Sequence, residues 1–412
     1  ATAHALAKRG VSVAVFEKGA VAAEQSSRNW GWCRTLGRDI RELPMSKLSV
    51  DMWRTLRADT GVDAGFTETG VVFVTDDPKE IATWEKWLQV ARRHGVDARM
   101  LSAREANASH AWQGQPWLGG IRTETDGYAE PSRAIPLLAK YLIGQGVQVF
   151  QQCAVNELLV EGGQVTGVLT ERGPVRAAKV VLAGGAWSTL FCRKHRLALP
   201  ILHVHSSASA SRGFDPGGRA PVRAPQFAFR PADGGGLLLA KSGRGTIHVV
   251  PDLLRYGLKF RPMYRARKAN VSLSFGRSFF AQAWTEFKYL HFDDAPYARR
   301  RILDPMPDMA LVRQAYVDAG RALGGPAPET VARAWGGVID NTPDGIPVVS
   351  GVKRLPGLYL CTGFSGHGFG SSLGAGQCLA ELMLDGKSAL DLEAFSYERL
   401  TDGRRLQPSL LY

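Results

Sequence analysis

The stretch VSVAVFEKG (residues 11–19) is a short apolar run that closes on one acidic residue, Glu17. Apolar residues on both faces predict a buried strand of a parallel sheet. Residues 1–10 have the spacing of a helix that ends at Gly10. A helix followed by a strand is half of a parallel βαβ unit, which also needs an earlier strand and a glycine-rich turn that the sequence lacks. We therefore expect further residues upstream of Ala1.

Glu17 is the first candidate functional residue because it ends that strand. In dinucleotide-binding sheets an acid at the end of the second strand accepts hydrogen bonds from ribose hydroxyls. A solvated glutamate at a strand end is an equally ordinary interpretation.

The segment SSRNWGW (26–32) follows without helical or strand periodicity. Its side-chain hydrogen-bond donors include Ser26, Ser27 and Asn29. Arg28 or Arg34 could hold an anion through two parallel hydrogen bonds. A surface loop with aromatic anchors explains the same residues, so this segment alone does not decide between a binding loop and a structural one.

A glycine-rich stretch near the end, GFSGHGFGSS (363–372), follows the apolar run GLYLCTG and precedes a pattern typical of a helix that stops near Gly386. Glycines let the backbone approach a ligand closely, and a helix N-terminus offers unpaired N–H groups and a positive dipole. The order strand, glycine loop, helix therefore predicts a binding site for an anionic group.

The intervening sequence predicts a second, antiparallel part. Asp77 and Pro78 begin a helix whose tryptophans recur at helical spacing, which favours core packing. A further helix is predicted within 125–146, then a hairpin that turns at Gly162 and Gly163, and a buried strand VVLAGG. Residues 200–340 hold short alternating runs with Gly and Pro turns, as in an antiparallel sheet with helical insertions. Parallel elements at both ends thus enclose a β-rich middle.

Composition excludes several classes of protein. The 412 residues are 45% hydrophobic and 22% charged, with no apolar run long enough to span a membrane and no signal-peptide pattern. Five cysteines without CxxC spacing argue against a metal site or disulfide framework and favour a reducing, cytoplasmic location. The net charge of +13 is dispersed without a nucleic-acid-binding motif, so we expect no nucleic-acid partner. A basic surface that attracts acidic substrates or lipid headgroups fits the charge equally well.

Several motifs taken together resemble the FAD-dependent D-amino-acid oxidase superfamily, which includes glycine oxidase, sarcosine oxidases and D-amino-acid dehydrogenase. They are Glu17 at its strand end, SSRN-x-G (26–31), TDGYAEP (125–131), VVLAGGAWS (180–188), AWGGVIDNTPDGIPVVSG (334–351) and GLYLCTGFSGHGFG (357–370). Their order and spacing cover nearly the whole chain. The resemblance implies α/β plus antiparallel β architecture, in which a Rossmann-like FAD-binding domain (1–44, 147–200 and 335–412) is interleaved with an antiparallel-sheet substrate domain (45–146 and 201–334).

By matching position, the resemblance implies which residues contact the cofactor. They are Glu17, Ser26, Ser27, Arg28, Asn29, Trp30, Gly31, Val155, Gly184, Gly185, Trp187, Gly366, His367, Gly368, Phe369 and Gly370. It also implies oxidation of the C–N bond of an amino acid or secondary amine by hydride transfer to flavin N5, with hydrolysis of the imine to a keto acid.

Four positions depart from related enzymes. Ile339 stands where glycine and D-amino-acid oxidases have an arginine for the substrate carboxylate. Gly337 stands where monomeric sarcosine oxidase attaches FAD through a cysteine, so we expect non-covalent FAD. Gly370 and Leu238 stand where that enzyme has lysines, and this lowers the expectation that oxygen is the electron acceptor.

Five residues are expected in the catalytic pocket. Arg34 matches an arginine that holds the carboxylate in monomeric sarcosine oxidase, and Trp30 and Trp32 are expected to border the substrate. His367 could serve as a base, although its place in the glycine loop favours structural contact with the flavin. Asp340 could bind a cationic group or a flavin-bound water.

Two alternatives stay open at this point. One is oxidation of a 2-hydroxy acid on the same fold, which needs a base that the sequence does not place. The other is a non-catalytic partner subunit. The expected partners are a small-molecule substrate and either a second copy or a partner subunit, with peripheral membrane contact as a further option, and no metal site is expected.

Overall fold

The computed structural model describes residues 1–113, 117–292 and 294–409 as a mixed α/β chain. Its helices of at least four residues are Thr2–Lys8, Gln25–Arg28, Leu43–Thr60, Pro78–Arg93, Ala103–Ala108, Pro131–Gly144, Ser188–Lys194, Pro251–Arg267, Ser278–His291, Pro296–Arg299, Met309–Leu323 and Gly368–Asp385. Shorter helical turns are Gly185–Trp187, Lys268–Asn270, Pro328–Thr330, Glu393–Phe395 and Glu398–Leu400. Helices are spread along the whole sequence between the strands.

Short parallel pairs form one part of the molecule, which we call the parallel side. Strand Ala14–Phe16 pairs in parallel with Gln148–Phe150. Strand Val180–Leu182 pairs in parallel with Leu358–Thr362, whose other edge carries the antiparallel strand Val348–Gly351. The predicted strand in residues 11–19 is therefore confirmed but shorter, and its side chains are only partly buried because they border a cavity.

A ten-stranded, mostly antiparallel sheet forms the second part. In spatial order its strands are Val271–Ser274, Gly245–His248, Leu202–Ser211, Leu237–Lys241, Phe227–Pro231, Val222–Arg223, Val71–Thr75, Gly119–Thr123 and Ala98–Leu101, with Val331–Asn341 paired to Leu202–Ser211. Three smaller strands, Trp32–Cys33, Gly127–Tyr128 and Thr67–Glu68, form a separate antiparallel sheet. The antiparallel middle predicted from the sequence is thus present, and it includes Val71–Thr75 from an earlier part of the chain.

The hairpin predicted at Gly162 and Gly163 is also present. Strands Val155–Glu161 and Gln164–Thr170 pair antiparallel across that turn, and Gly173–Arg176 adds a third strand. Both turn glycines have positive φ, which a two-residue hairpin loop requires.

Helix Pro78–Arg93 begins where the sequence predicts. The side chain of Asp77 accepts a hydrogen bond from Lys79 N, and Pro78 occupies the first turn. Trp84 and Trp87 are buried against the large sheet, so the prediction of core packing for these tryptophans is confirmed.

Two helices of the segment 45–146 pack on the parallel side instead of the large sheet. In Leu43–Thr60, Ser49 Oγ and Trp53 Nε1 donate to the backbone oxygen of Gly370, at 2.6 and 3.1 Å. In Pro131–Gly144, apolar side chains share a core with the start of the last helix. We therefore propose that both helices belong to the cofactor domain.

Candidate functional site

The parallel side and the large sheet enclose a cavity of about 1680 Å³. It exceeds the roughly 300–1,000 Å³ of pockets for drug-sized ligands, and an extended cofactor together with a substrate needs such a volume. The residues expected at the site that line it are Glu17, Ser26, Arg28, Asn29, Trp30, Trp32, Arg34, Val155, Gly184, Gly185, Trp187, Asp340, Gly366, His367, Gly368, Phe369 and Gly370. The fold therefore brings together segments that lie up to 350 residues apart in the sequence.

Ser27 and Gly31 do not line the cavity. Ser27 Oγ contacts the backbone oxygen of Glu24 at 3.5 Å. Gly31 has φ of +78°, and a Cβ there would lie 2.0 Å from the backbone oxygen of Ala129. A glycine is needed at this position because two backbone segments meet there.

Glu17 follows strand Ala14–Phe16 and lines the cavity. Its carboxylate accepts a hydrogen bond from Gly19 N at 2.7 Å. Burial raises the pKa of Glu17, and the Gly19 N–H opposes that shift. One carboxylate oxygen is fixed by the following turn, and the residue lies where an acceptor for ribose hydroxyls is expected.

The loop after this strand is held by its own side chains. Arg28 pairs with Asp304 at 2.5 Å and donates to the backbone oxygen of Gly336 at 3.1 Å. Asn29 donates to the backbone oxygen of Ser26 at 2.9 Å and accepts from Gly31 N at 2.8 Å. The Arg28 guanidinium is therefore neutralised by a carboxylate. Arg34 donates to the uncharged backbone oxygen of Leu36, so it is the better candidate for an anion.

Gln25 joins this loop to two other walls of the cavity. Its side-chain oxygen accepts from Ala186 N at 3.0 Å, next to Gly185, and its Nε2 donates to Asp340 Oδ1 at 2.9 Å. Gly185 has φ of +51°, and a Cβ there would lie 2.0 Å from Gln25 Oε1. Sequence reasoning missed Gln25, whose only signal was its place directly before the SSRN segment.

Asp340 is buried and already serves as an internal acceptor. Besides the bond from Gln25, its Oδ2 accepts from Gly363 N at 2.8 Å and from Thr362 Oγ1 at 3.4 Å. Burial raises the pKa of Asp340, while the Gly363 N–H and the Gln25 amide oppose the rise. This carboxylate ties the end of strand Val331–Asn341 to the start of the glycine loop.

The glycine loop leads into helix Gly368–Asp385, whose first residues line the cavity. Gly363, Ser365 and Gly366 have positive φ, and His367 is the N-cap residue. The first turn of the helix has no acidic residue. Its dipole and N–H groups therefore favour negative charge in the cavity.

His367 is fixed by a glutamate that sequence reasoning did not single out. Its Nε2 lies 2.6 Å from Glu42 Oε1, and both side chains are buried. Burial lowers the pKa of His367, and the Glu42 carboxylate opposes that shift. The contact joins the first turn of Gly368–Asp385 to the start of Leu43–Thr60.

A cluster of arginines lines another wall of the cavity. The guanidinium of Arg34 lies 5.3 Å from the ring centre of Phe73, and that of Arg223 lies 5.4 Å from the same ring. Arg38 is buried beside them and lines the cavity too. Burial and the neighbouring charge of Arg38 lower the pKa of Arg34. Arg223 also pairs with Glu80 at 3.0 Å, whereas no ion pair of Arg34 occurs among the described residues.

Asp126, from the TDGYAEP motif, holds the backbone that carries Arg34. Its carboxylate accepts from Thr35 N at 2.8 Å, Leu36 N at 2.9 Å and Thr123 Oγ1 at 2.7 Å. These bonds fix the direction in which the Arg34 side chain leaves the chain.

Trp30 and Trp32 lie side by side at the cavity, with ring centres 5.6 Å apart and edge-to-face geometry. The indole N–H of Trp32 is buried and has no hydrogen-bond partner within the described part of the chain. Arg230 is fully buried and donates a hydrogen bond to the backbone oxygen of Trp30. It also pairs with Glu130 at 2.6 Å. Sequence reasoning did not identify Arg230. The unpaired indole N–H is the kind of group that a bound ligand satisfies.

The residues present fit FAD. The cavity lining combines a strand-end carboxylate, Glu17, with the backbone turn at Gly184 and Gly185 and with the N-terminus of Gly368–Asp385, which can stabilise a negatively charged ring. At Gly370 a Cβ would lie 2.4 Å from the backbone oxygen of Trp32, which explains why no lysine stands there. Ile339 and Gly337 both line the cavity, and Leu238 does not.

Other kinds of site are not apparent. The described ranges contain no cluster of three or more His, Cys, Asp or Glu side chains that could hold a metal ion. No helix in them combines the length and apolar character needed to cross a bilayer.

Comparison with known proteins agrees with this geometry. Residues 1–382 match the model of the family described as FAD dependent oxidoreductase. The chain is 24% identical to the sarcosine oxidase subunit beta of an Arthrobacter species, over 98% of this chain and 88% of that protein. It is 24% identical to the D-amino acid dehydrogenase of Agrobacterium fabrum, over 91% of this chain and 78% of that protein.

A solved structure is similar over nearly the same length. The L-amino acid deaminase from Proteus myxofaciens in complex with anthranilate has a TM-score of 0.90 and 27% identity, and covers 97% of this chain and 90% of its own. The expected architecture of a parallel part joined to a large antiparallel sheet is confirmed by this likeness.

Proposed function

This chain belongs to the FAD-dependent oxidoreductase family, and on that premise we propose that it oxidises the C–N bond of an amino acid or secondary amine that carries a carboxylate. The observation that carries the proposal is the arginine cluster, Arg34, Arg38 and Arg223, in the same cavity as the glycine loop. The named relatives act on sarcosine, D-amino acids and L-amino acids, and each of these substrates joins an amine to a carboxylate.

We propose that FAD is bound without a covalent link. Glu17 would accept from the ribose, the turn at Gly184 and Gly185 would allow close approach, and the N-terminus of Gly368–Asp385 would face the negative end of the ring system. Cys361 is the one cysteine among the described residues that line the cavity. Burial raises the pKa of its thiol to about 11, so it remains protonated and is a poor nucleophile.

Arg34 is proposed to bind the substrate carboxylate through its guanidinium, with Trp30 and Trp32 as apolar walls of the substrate pocket. When bound, FAD supplies a two-electron acceptor for the hydride of the α-carbon. The positive charge of Arg34 and Arg38 lowers the pKa of a nearby ammonium group, which favours the neutral amine needed for hydride loss. The imine product hydrolyses in water to a keto acid plus ammonia or an amine.

Asp340 and His367 are proposed to position the site. Asp340 fixes the glycine loop through Gly363 N, and His367 fixes the following helix through Glu42. Oxidation of a 2-hydroxy acid would require a base for the hydroxyl proton. His367 is the one histidine among the described lining residues and is engaged by Glu42, so the amine is the better substrate.

We also propose a cellular location and an assembly state for the protein. The five cysteines are free thiols, which fits a reducing compartment such as the cytoplasm. Similarity to sarcosine oxidase subunit beta supports assembly with a partner subunit, and a homo-oligomer is the alternative.

The test is anaerobic reduction of the protein loaded with FAD. The visible absorption of the oxidised flavin should bleach with an amino acid or an N-methyl amino acid and should persist with the matching 2-hydroxy acid. Release of flavin on denaturation would support non-covalent binding. A protein that binds FAD but is reduced by 2-hydroxy acids alone would refute the substrate class, and one that takes up no FAD would favour the non-catalytic subunit.

A further inference from the structure

An unusually apolar surface lies on two helices, Pro251–Arg267 and Ser278–His291, and on the segment between and just after them. The first of these helices also lines the cavity, and Leu258 belongs to both surfaces. Its most exposed large apolar side chains are Leu254 (71%), Leu258 (86%), Phe275 (79%), Phe280 (74%), Trp284 (59%) and Phe292 (68%). We call the residues of this list the apolar face. Elsewhere among the described residues, the most exposed large apolar side chains are Met306 at 88% and Leu118 and Ile143 at 55% each. Large apolar side chains that are exposed together on two neighbouring helices are typical of an interaction site.

The apolar face follows from helical spacing. In Ser278–His291, Phe280, Trp284 and Phe287 recur at i, i+4 and i+7, so they share one side of the helix. The rings of Trp284 and Phe287 stack with centres 5.8 Å apart. The opposite side carries Glu286, which is buried. This helix therefore turns Phe280, Trp284 and, in part, Phe287 to solvent, while Glu286 and Tyr289 face inward.

The two helices are firmly attached to the body of the protein. Arg193 pairs with Glu286 at 2.5 Å, and Arg255 joins Asp252 at 2.8 Å to Glu286 at 2.9 Å. Gln282 Nε2 donates to Asp252 at 2.8 Å within the same network. The exposure of the rings is thus a property of a well-anchored pair of helices.

The segment that carries the apolar face is rich in positive charge. Residues 251–300 contain ten Lys or Arg against four Asp or Glu, a net charge of +6 out of +13 for the whole chain. Asp252 and Glu286 are buried in the network, so they contribute little to the surface. Arg261 and Arg265 continue the side of the helix that carries Leu254 and Leu258, because the four positions follow helical spacing.

We propose that the apolar face docks this protein on the surface of an anionic lipid bilayer. Aromatic rings sit favourably at the boundary between headgroups and acyl chains, and surrounding Lys and Arg side chains are attracted to the negative surface potential. Helix Pro251–Arg267 also lines the cavity, through residues such as Gly257 and Tyr264. Docking would therefore place this wall of the cavity next to the membrane.

The test is co-sedimentation of the purified protein with vesicles. We expect binding to vesicles of equal parts phosphatidylglycerol and phosphatidylcholine, weaker binding in high salt, and little binding to phosphatidylcholine alone. The double variant Phe280→Ser/Trp284→Ser should bind about tenfold or more weakly, since each ring loses its apolar contact with lipid. Arg261→Gln/Arg265→Gln should weaken binding to anionic vesicles.

Matched controls are exposed residues elsewhere. Leu118→Ser/Ile143→Ser removes two large apolar side chains that are both 55% exposed, and Arg92→Gln/Arg93→Gln removes two exposed charges. Both should bind as the unchanged protein does. Absence of vesicle binding, or equal loss in the control variants, would overturn the proposal. Sedimentation velocity tests whether the apolar face binds a second copy of the protein instead. If the unchanged protein is a dimer and Phe280→Ser/Trp284→Ser makes it a monomer, the face is a dimer interface, and the proposal of membrane docking is overturned.

Discussion

Replacement of Glu42 by alanine should reveal how strongly the glycine loop depends on a buried contact. The variant removes the carboxylate 2.6 Å from His367 Nε2 and leaves the buried ring nitrogen unpaired on that side. Leaving a buried hydrogen-bond partner unsatisfied costs about 1–3 kcal/mol. We expect Glu42→Ala to lower the free energy of unfolding by about 3 kcal/mol. Glu42→Gln should cost about 1 kcal/mol, since it keeps an acceptor oxygen.

The contact between Glu42 and His367 also predicts that the free energy of unfolding depends on pH. Burial lowers the pKa of His367 below its ordinary value of 6.5, so the folded state binds fewer protons than the unfolded state. The stability from neutral His367 is full above about pH 6.5 and falls as the pH drops toward its folded-state pKa. His367→Gln should flatten the loss of stability in this acidic window.

Urea unfolding followed by tryptophan fluorescence measures these effects, at about pH 8 and again at about pH 5.5. A double-mutant cycle of Glu42→Gln and His367→Gln isolates the pairwise energy, which should be about 1–2 kcal/mol. Glu161→Gln, in an exposed pair with Arg176, is the control and should leave stability unchanged. A coupling energy below about 0.3 kcal/mol, or unaltered FAD affinity in Glu42→Ala, would refute the positioning role.

Three other variants test separate contacts. Arg34→Gln should raise KM for a carboxylate substrate roughly tenfold to a hundredfold in steady-state kinetics, while unfolding by urea stays as in the unchanged protein. Gly374→Ala should lower the free energy of unfolding by about 2 kcal/mol, because the added Cβ would lie 2.4 Å from the backbone oxygen of Met45. The control Gly144→Ala, where no atom lies within 4 Å of the added Cβ, should be neutral or slightly stabilising. Arg230→Met should lower the melting temperature and, by circular dichroism in the near ultraviolet, alter the tryptophan signal, since it leaves Glu130 without its buried partner.

Local sequence patterns predicted the elements of the site well. Glu17 at a strand end and the glycine loop before a helix both arise from neighbouring residues, so spacing and residue type were sufficient. The strand before Glu17 was expected to be fully buried, but it is only partly buried because its side chains line a cavity. The sequence could not show this difference, since apolar side chains that line a cavity have the same pattern as those packed in a core.

The connections between elements could not be predicted in the same way. Gln25 meets Asp340 across 315 positions, and Glu42 meets His367 across 325. A single glutamine or glutamate carries no periodic signal, and its partner is defined only when the chain folds. Helix Ser278–His291 shows a different limit. The spacing of Phe280 and Trp284 is that of a core helix, yet both rings are exposed and the carboxylate of Glu286 is buried.

The charges of the cavity explain why a carboxylate substrate suits it. Arg34 and Arg38 lie close together, and their mutual repulsion, added to burial, lowers the pKa of Arg34. The carboxylate of Asp126 is fully used by backbone and hydroxyl donors, so it orients this segment without pairing directly with Arg34. A bound carboxylate would relieve the repulsion, and the remaining positive charge would keep the amine deprotonated. Binding and activation of the proposed substrate would thus both follow from one feature, the two neighbouring guanidinium groups of Arg34 and Arg38 at the cavity.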